Sequence, residues 1–231
     1  MSVFAISDLH LSVNNPKPMD IFGPTWEGYI DKIFADWKEN VRDEDIVLMS
    51  GDFSWAMKLE ETKLDFELLR GLPGKIVIIR GNHDYWWKSI SAVRAVLPEN
   101  VYAIQNDALK FEDYIICGTR LWTLPDENKP LSEEDEKIYK RELIRLEMTL
   151  QNAVKLKEKD EKIICMLHYP PYTFKEEDNE VTALMEKYGV SKVVYGHIHA
   201  YCKQSLVLTK NEIEYFLTSC DIIGNKLVKI D

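Results

Sequence analysis

The sequence predicts an α/β protein in which two β-sheets pack face to face with helices outside. Three observations lead there. Up to residue 100, short apolar β-branched runs alternate with helix-spaced segments, the pattern of parallel strands joined by crossover helices. The pattern then breaks into three short strands with tight turns and returns as further strand–loop–helix units. Histidine, aspartate and asparagine recur just after the strands, where open α/β sheets place their sites.

The elements follow in order. Residues 2–6 form the first strand and release Ser7-Asp8-Leu9-His10. Residues 12–24 are rich in Asn, Pro and Gly and read as a loop. Across residues 26–40, Trp26, Ile30, Ile33, Phe34 and Trp37 keep helical spacing, with Thr25 as N-cap. Residues 45–49 are a short buried strand leading to Ser50-Gly51-Asp52, and residues 59–69 a second helix ended by Gly71-Leu72-Pro73-Gly74. The strand at 75–79 delivers Arg80-Gly81-Asn82-His83-Asp84, and residues 86–97 read as helix. Strands are expected at 101–104, 108–111 and 114–117, with Glu112-Asp113 turning a hairpin. The charged stretch 132–159 spaces Leu143, Leu146, Leu150 and Val154 for one long amphipathic helix, whole or broken, with Ser132 and Asp135 in a capping arrangement. A strand at 161–167 leads to His168-Tyr169, a helix covers 181–188, and a strand at 192–195 leads to Gly196-His197-Ile198-His199. Strand-like runs at 205–208, 213–217 and 226–230 complete the chain.

At 231 residues the chain is one large domain or at most two small ones. Its net charge of −10 argues against a general nucleic-acid or anionic-membrane binder, which needs a basic footprint. Cys117, Cys165, Cys202 and Cys220 show no C-x-x-C spacing and read as buried reduced thiols. No signal peptide and no membrane-length apolar run is visible, so a cytoplasmic location is the expectation.

All five histidines, His10, His83, His168, His197 and His199, stand in these strand-end segments. Imidazole and carboxylate are the side chains that hold borderline divalent metals. Each segment alone is weak; their order, strand context and completeness carry the signal. Together they supply two Asp, one Asn and four His, with one His left over. Two divalent ions about 3.5–4 Å apart clamp a phosphoryl group and lower the pKa of a shared water. Holding them that close calls for a bridging anion, with neutral imidazoles and an amide completing the shells. Glycines 51, 81 and 196 allow sharp turns where the strands release these residues.

The set D-x-H, G-D, G-N-H-D, a lone H and G-H-x-H, running from Asp8 to His199, resembles the calcineurin-like metallophosphoesterase superfamily. The resemblance implies a single domain over residues 1–231 with a four-layer α/β/β/α sandwich of two mixed sheets. It implies that Asp8, His10 and His199 bind one metal, that Asn82, His168 and His197 bind the other, and that Asp52 bridges them. His83 would face the substrate as the remaining catalytic group, with Asp84 orienting it or capping the following helix. The activity implied is dinuclear metal-dependent hydrolysis of a small phosphate mono- or diester through a metal-bridging hydroxide. The ions would be Mn or Fe by preference, with Zn or Co compatible. The alternatives are a non-catalytic metal-binding scaffold, as some family members are, and a nuclease or nucleotide pyrophosphatase. No membrane partner is expected, and the oligomeric state is not written in the sequence. Trp55, Tyr85, Trp86, Trp87, Tyr169 and Tyr172 either pack neighbouring helices or wall a substrate pocket. Arg120 makes either a phosphate contact or an ion pair, and specificity is expected in loops 12–24, 120–131 and 171–180.

Overall fold

The computed structural model describes residues 1–126, 130–200 and 205–231. In the first sheet β1 (Val3–Ile6), β2 (Ile46–Met49), β3 (Lys75–Ile78) and β4 (Val101–Ala103) run parallel. Strand β11 (Val228–Lys229) lies antiparallel beside β1, giving the order β11-β1-β2-β3-β4. The second sheet contains β5 (Ala108–Phe111), β6 (Tyr114–Thr119), β7 (Lys162–Leu167), β8 (Val190–Tyr195), β9 (Val207–Lys210) and β10 (Ile213–Leu217). Its order is β5-β6-β7-β8-β10-β9, with antiparallel edge strands on a parallel centre. Both sheets are therefore mixed, as expected.

The apolar runs are continuous because both faces of each sheet are covered. Phe4, Ile6, Val47, Met49, Ile76 and Ile78 turn outward, where Ile33 and Trp37 of α1 (Tyr29–Asn40), Phe66 and Leu69 of α2 (Lys63–Arg70) and Val93 of α3 (Ile90–Arg94) cover them. Val3, Ala5, Ile46, Leu48 and Val77 turn inward and meet Ile116, Ile164, Met166 and Val194 of the second sheet. The other face of that sheet, with Ile115, Cys117, Cys165 and Val193, is covered by Leu146 and Leu150 of α4 (Glu133–Leu156) and by Val181 and Met185 of α5 (Glu180–Lys187). Helix, sheet, sheet, helix is the four-layer order.

Several local expectations are corrected. Helix α1 begins at Tyr29 rather than Trp26, because Gly28 in the left-handed region (φ 58°) separates it from a 3-10 turn at Pro24–Trp26; Thr25 caps nothing. The helix expected at 86–97 shrinks to α3, capped by Ser89, because the indoles of Trp86 and Trp87 are buried and bonded to Asp84 and Gln105. Of the three short strands after residue 100, β4 closes the first sheet, while β5 and β6 form the expected hairpin, which opens the second. Helix α4 is unbroken, with Ser132 accepting the Asp135 backbone N–H. Cys117, Cys165 and Cys220 are buried and free, whereas Cys202 lies outside the described residues. Among the described residues no helix is long and apolar enough to cross a membrane.

Candidate metal centre

The C-terminal ends of β1, β2 and β3 meet those of β7 and β8 along one edge, and main-chain bonds sew them together. Asp8 N–H donates to Gly51 O, Gly196 N–H to His168 O, and Ser7 N–H to Thr218 O, at 2.8–3.2 Å. The backbone here is unusual: Asp8, His10, Asp52 and His197 all have positive φ, between 48° and 71°. Non-glycine residues rarely hold that conformation, and it concentrates where surrounding structure over-determines it for a functional purpose.

The glycines explain how the loops come so close. Gly51 has φ +93° and makes the turn expected of it, whereas at Gly81 and Gly196 the requirement is space. A Cβ on Gly81 would lie 2.1 Å from Asp52 Oδ1, and one on Gly196 would lie 2.3 Å from Asp8 Oδ2. The absence of a side chain, rather than turn freedom, lets those carboxylates sit where they do.

The polar atoms converge. Candidate ligand atoms of Asp8, His10 and His199 lie within 4.8 Å of one another, and so do those of Asp8, Asp52 and His168. Asn82 Oδ1 is 2.6 Å from His168 Nε2 and 2.8 Å from His197 Nδ1. His168 Nδ1 donates to Ser50 O at 2.9 Å, which fixes the tautomer and leaves the Nε2 lone pair facing Asn82 Oδ1. Asp52 Oδ1 accepts the His83 backbone N–H, while Oδ2 is buried without a hydrogen-bond donor among the described residues. That oxygen stands 3.8 Å from His10 Nε2 and 3.5 Å from His168 Nε2.

The electrostatics test whether a cation fits. Burial holds His10 and His168 down to about 3 and His197 to about 4, so these imidazoles are neutral with lone pairs to offer. Burial, reinforced by the Asp84 and Asp8 carboxylates, pushes Asp52 up to about 9. Burial opposes charge on His199, yet its bonds to Asp221 and Asp8 lift it to about 10. Asp8 goes the other way: despite burial, the His199 bond and the neighbouring histidines hold it below the usual carboxylate range. Protein groups alone thus draw one proton onto Asp52 and another onto His199 at neutral pH. A buried carboxylate that favours neutralisation and a histidine held by two carboxylates, beside neutral imidazole and amide donors, match the donor chemistry of a divalent cation. The residues fit such ions, and the unpaired Asp52 Oδ2 would otherwise be a costly buried acceptor.

A sequence model of the calcineurin-like phosphoesterases matches residues 1–201. The chain belongs to the calcineurin-like phosphoesterase family. No curated protein matches it. Among solved structures, it is similar to a protein of unknown function, AQ665, from Aquifex aeolicus, at 15% identity and TM-score 0.53, covering 99% of this chain and 95% of that one. The TT1561 protein of Thermus thermophilus is similar at 14% identity and TM-score 0.57, covering 99% and 97%. These likenesses show that the fold is shared.

Around these converging side chains, Asp84 takes a different part from the one expected. Its buried carboxylate accepts the backbone N–H groups of Asp52, Phe53, Ser54 and Gly81 and the Trp86 indole N–H, at 2.7–3.2 Å. Among the described residues no hydrogen bond joins it to the His83 ring, and the cap of α3 is Ser89. Asp84 ties the Asp52 loop to the Asn82 loop. The His83 ring lies instead 4.6 Å from Trp55 and 5.6 Å from His10, and burial lowers its pKa.

Sequence reasoning missed Asp221, whose carboxylate bonds His199 Nδ1 at 2.9 Å and the Ala200 N–H at 2.9 Å. It also missed Ser7 and Ser219, whose hydroxyls donate to Asp8 Oδ2. Asp221 follows strand β10, far along the chain from the motif blocks, with no pattern to mark it. The aromatics divide: Trp86, Trp87 and Tyr172 are buried in the core, Trp55 stacks on His10 at 4.7 Å, Tyr169 lies 4.1 Å from His197, and Tyr85 is exposed. Arg120 forms an ion pair with buried Glu142 at 3.7 Å.

Proposed function

We propose that this chain is a dinuclear metal-dependent phosphoesterase acting on a small phosphate mono- or diester. The single observation that supports it most is the position of Asp52 Oδ2, unpaired and facing His10 on one side and His168 on the other. Asp8, His10 and His199 would hold one ion, Asn82, His168 and His197 the other, with Asp52 shared between them. Manganese or iron suits this mixed N/O set, and zinc or cobalt is compatible with it. The ions would clamp the phosphoryl oxygens and lower the pKa of a water to furnish the nucleophile.

The chain's own groups do the rest. Asp221 and Ser50 fix the orientation of His199 and His168, as carboxylates and carbonyls do for metal-bound imidazoles. Asp84 acts as a positioning residue, holding the Asp52 and Asn82 loops in register. His83, whose pKa burial lowers, would donate a hydrogen bond from its ring N–H to the leaving oxygen and stabilise the negative charge that grows there while keeping its proton. Lys17, placed over the Trp55 ring at 4.2 Å, adds positive field on that side. Because the donors come from both sheets, residues 1–231 would work as one domain. A cytoplasmic location agrees with the free cysteines.

The test is hydrolysis of bis-p-nitrophenyl phosphate and p-nitrophenyl phosphate by protein stripped with chelator and reloaded with Mn²⁺. Turnover should require the metal and fall about a hundredfold or more in His83→Ala, with metal content unchanged. An inert wild type carrying two ions, or an undiminished His83→Ala, would refute the assignment.

A further inference from the structure

Beside the metal centre lies a cavity of about 580 Å³ whose walls include His197 itself. It opens between the loop after β6 and the loop after β7. Leu124, Leu131, Phe174, Ile198 and Tyr169 are among its lining residues. Phe174 is 73% exposed, a large apolar side chain held at the protein surface without cover. Of the polar groups there, Asp135 is committed to Ser132 Oγ and the Trp122 indole N–H, which hold its carboxyl below the usual range and so ionised. Its charge makes the cavity unwelcoming to a second anion.

The cavity also has a direction. His83 packs against Trp55, His10 and Tyr85, whereas no residue of the 81–87 loop lines the cavity. A leaving oxygen hydrogen-bonded by His83 would therefore lie on the Trp55 side. The group beside His197 and Tyr169 is then the one that stays on phosphorus.

We infer that the substrate is a phosphodiester whose retained ester group is apolar and uncharged, an aryl or alkyl group seated between Tyr169, Leu131 and Phe174. The inference rests on the phosphoesterase reading for the phosphoryl position and goes beyond it in naming the second ester. His197 is both a proposed metal ligand and a wall of the cavity, so a group on a phosphorus held by that ligand set would lie beside it.

The test separates the two readings by measuring binding and turnover independently. Calorimetry on the Mn²⁺-loaded protein would compare diphenyl phosphate with dimethyl phosphate. A preference of about tenfold or more for the phenyl ester, about 1.4 kcal/mol, is expected. It should shrink toward unity in Phe174→Asp and in Leu131→Ser; because Phe174 is so exposed, its replacement leaves the fold intact. Equal affinities, or a phenyl preference that survives both substitutions, would overturn the inference. In parallel, p-nitrophenyl phenyl phosphate and methyl p-nitrophenyl phosphate share one leaving group, so their kcat/KM ratio reports the retained group alone. Binding preference without turnover of either ester would sustain the cavity and defeat the phosphoesterase reading. Turnover without preference would do the reverse.

Discussion

At the scale of single residues, the site is built from conformations that side chains seldom adopt. Asp8, His10, Asp52 and His197 in left-handed backbone each cost of the order of 1–3 kcal/mol, and close loop packing holds them there. Gly81 is the tightest point, because its missing Cβ is the space that Asp52 occupies. Gly81→Ala should lower stability by about 1–3 kcal/mol and reduce metal content, read by urea denaturation and elemental analysis. Wild-type stability with full metal content in that variant would show that the Asp52 loop is not constrained as described. The residues that bear donors were legible in the sequence, since their types recur at strand ends in order. Their φ angles were not, because they arise from contacts between loops far apart in the chain. Asp221 was hidden for the same reason: an aspartate becomes a partner of His199 only when β10 lies beside β8.

At the scale of elements, the strands were readable because burial on both faces makes them continuous β-branched runs. Where a side chain's destination decided the structure, local spacing failed. Trp86 and Trp87 fit a helical pattern, yet their indoles are claimed by Asp84 and Gln105, so α3 starts later. Strand β4 was visible, but its sheet was not, because pairing with β3 is a long-range choice. The charged stretch that became α4 supports the site from behind, since its buried Glu142 reaches Arg145, Thr119 and Arg120. The Arg120 carbonyl in turn accepts the His168 and Tyr169 N–H groups. Glu142→Ala removes the buried carboxylate from Arg120 and from Arg145, whose guanidinium reaches solvent, and should destabilise by about 1–3 kcal/mol, measured by chemical denaturation, with loosened metal binding at His168. A loss below about 1 kcal/mol would place this network among screened surface pairs.

At the scale of the whole molecule, the two sheets meet at a cluster of groups whose protonation changes on folding. His199 and Asp52 have folded pKa values raised to about 10 and about 9. A raised pKa gives stability that is complete below the unfolded value and is lost as pH rises through the folded one. For His199 that window runs from 6.5 to about 10, and for Asp52 from 3.8 to about 9. His10, His168 and His197 are lowered, and their opposite contribution is already complete above 6.5. Chelator-treated protein should therefore lose stability between about pH 7 and pH 10, and urea midpoints would show it. Asp52→Asn should flatten part of that slope. Saturating Mn²⁺ should raise the midpoints across the range, as a ligand binding only the folded state does. Chelated protein whose stability is flat over this interval would contradict the charge demand attributed to the centre.

The central claim is that Asp52 is shared by two ions, and metal counting tests it most directly. Elemental analysis of Mn²⁺-reconstituted protein after gel filtration should give two ions per chain for the wild type. Asp52→Ala should lose metal together with activity, while His83→Ala should keep both ions. One ion per chain in the wild type, or an active Asp52→Ala that retains two, would contradict the account.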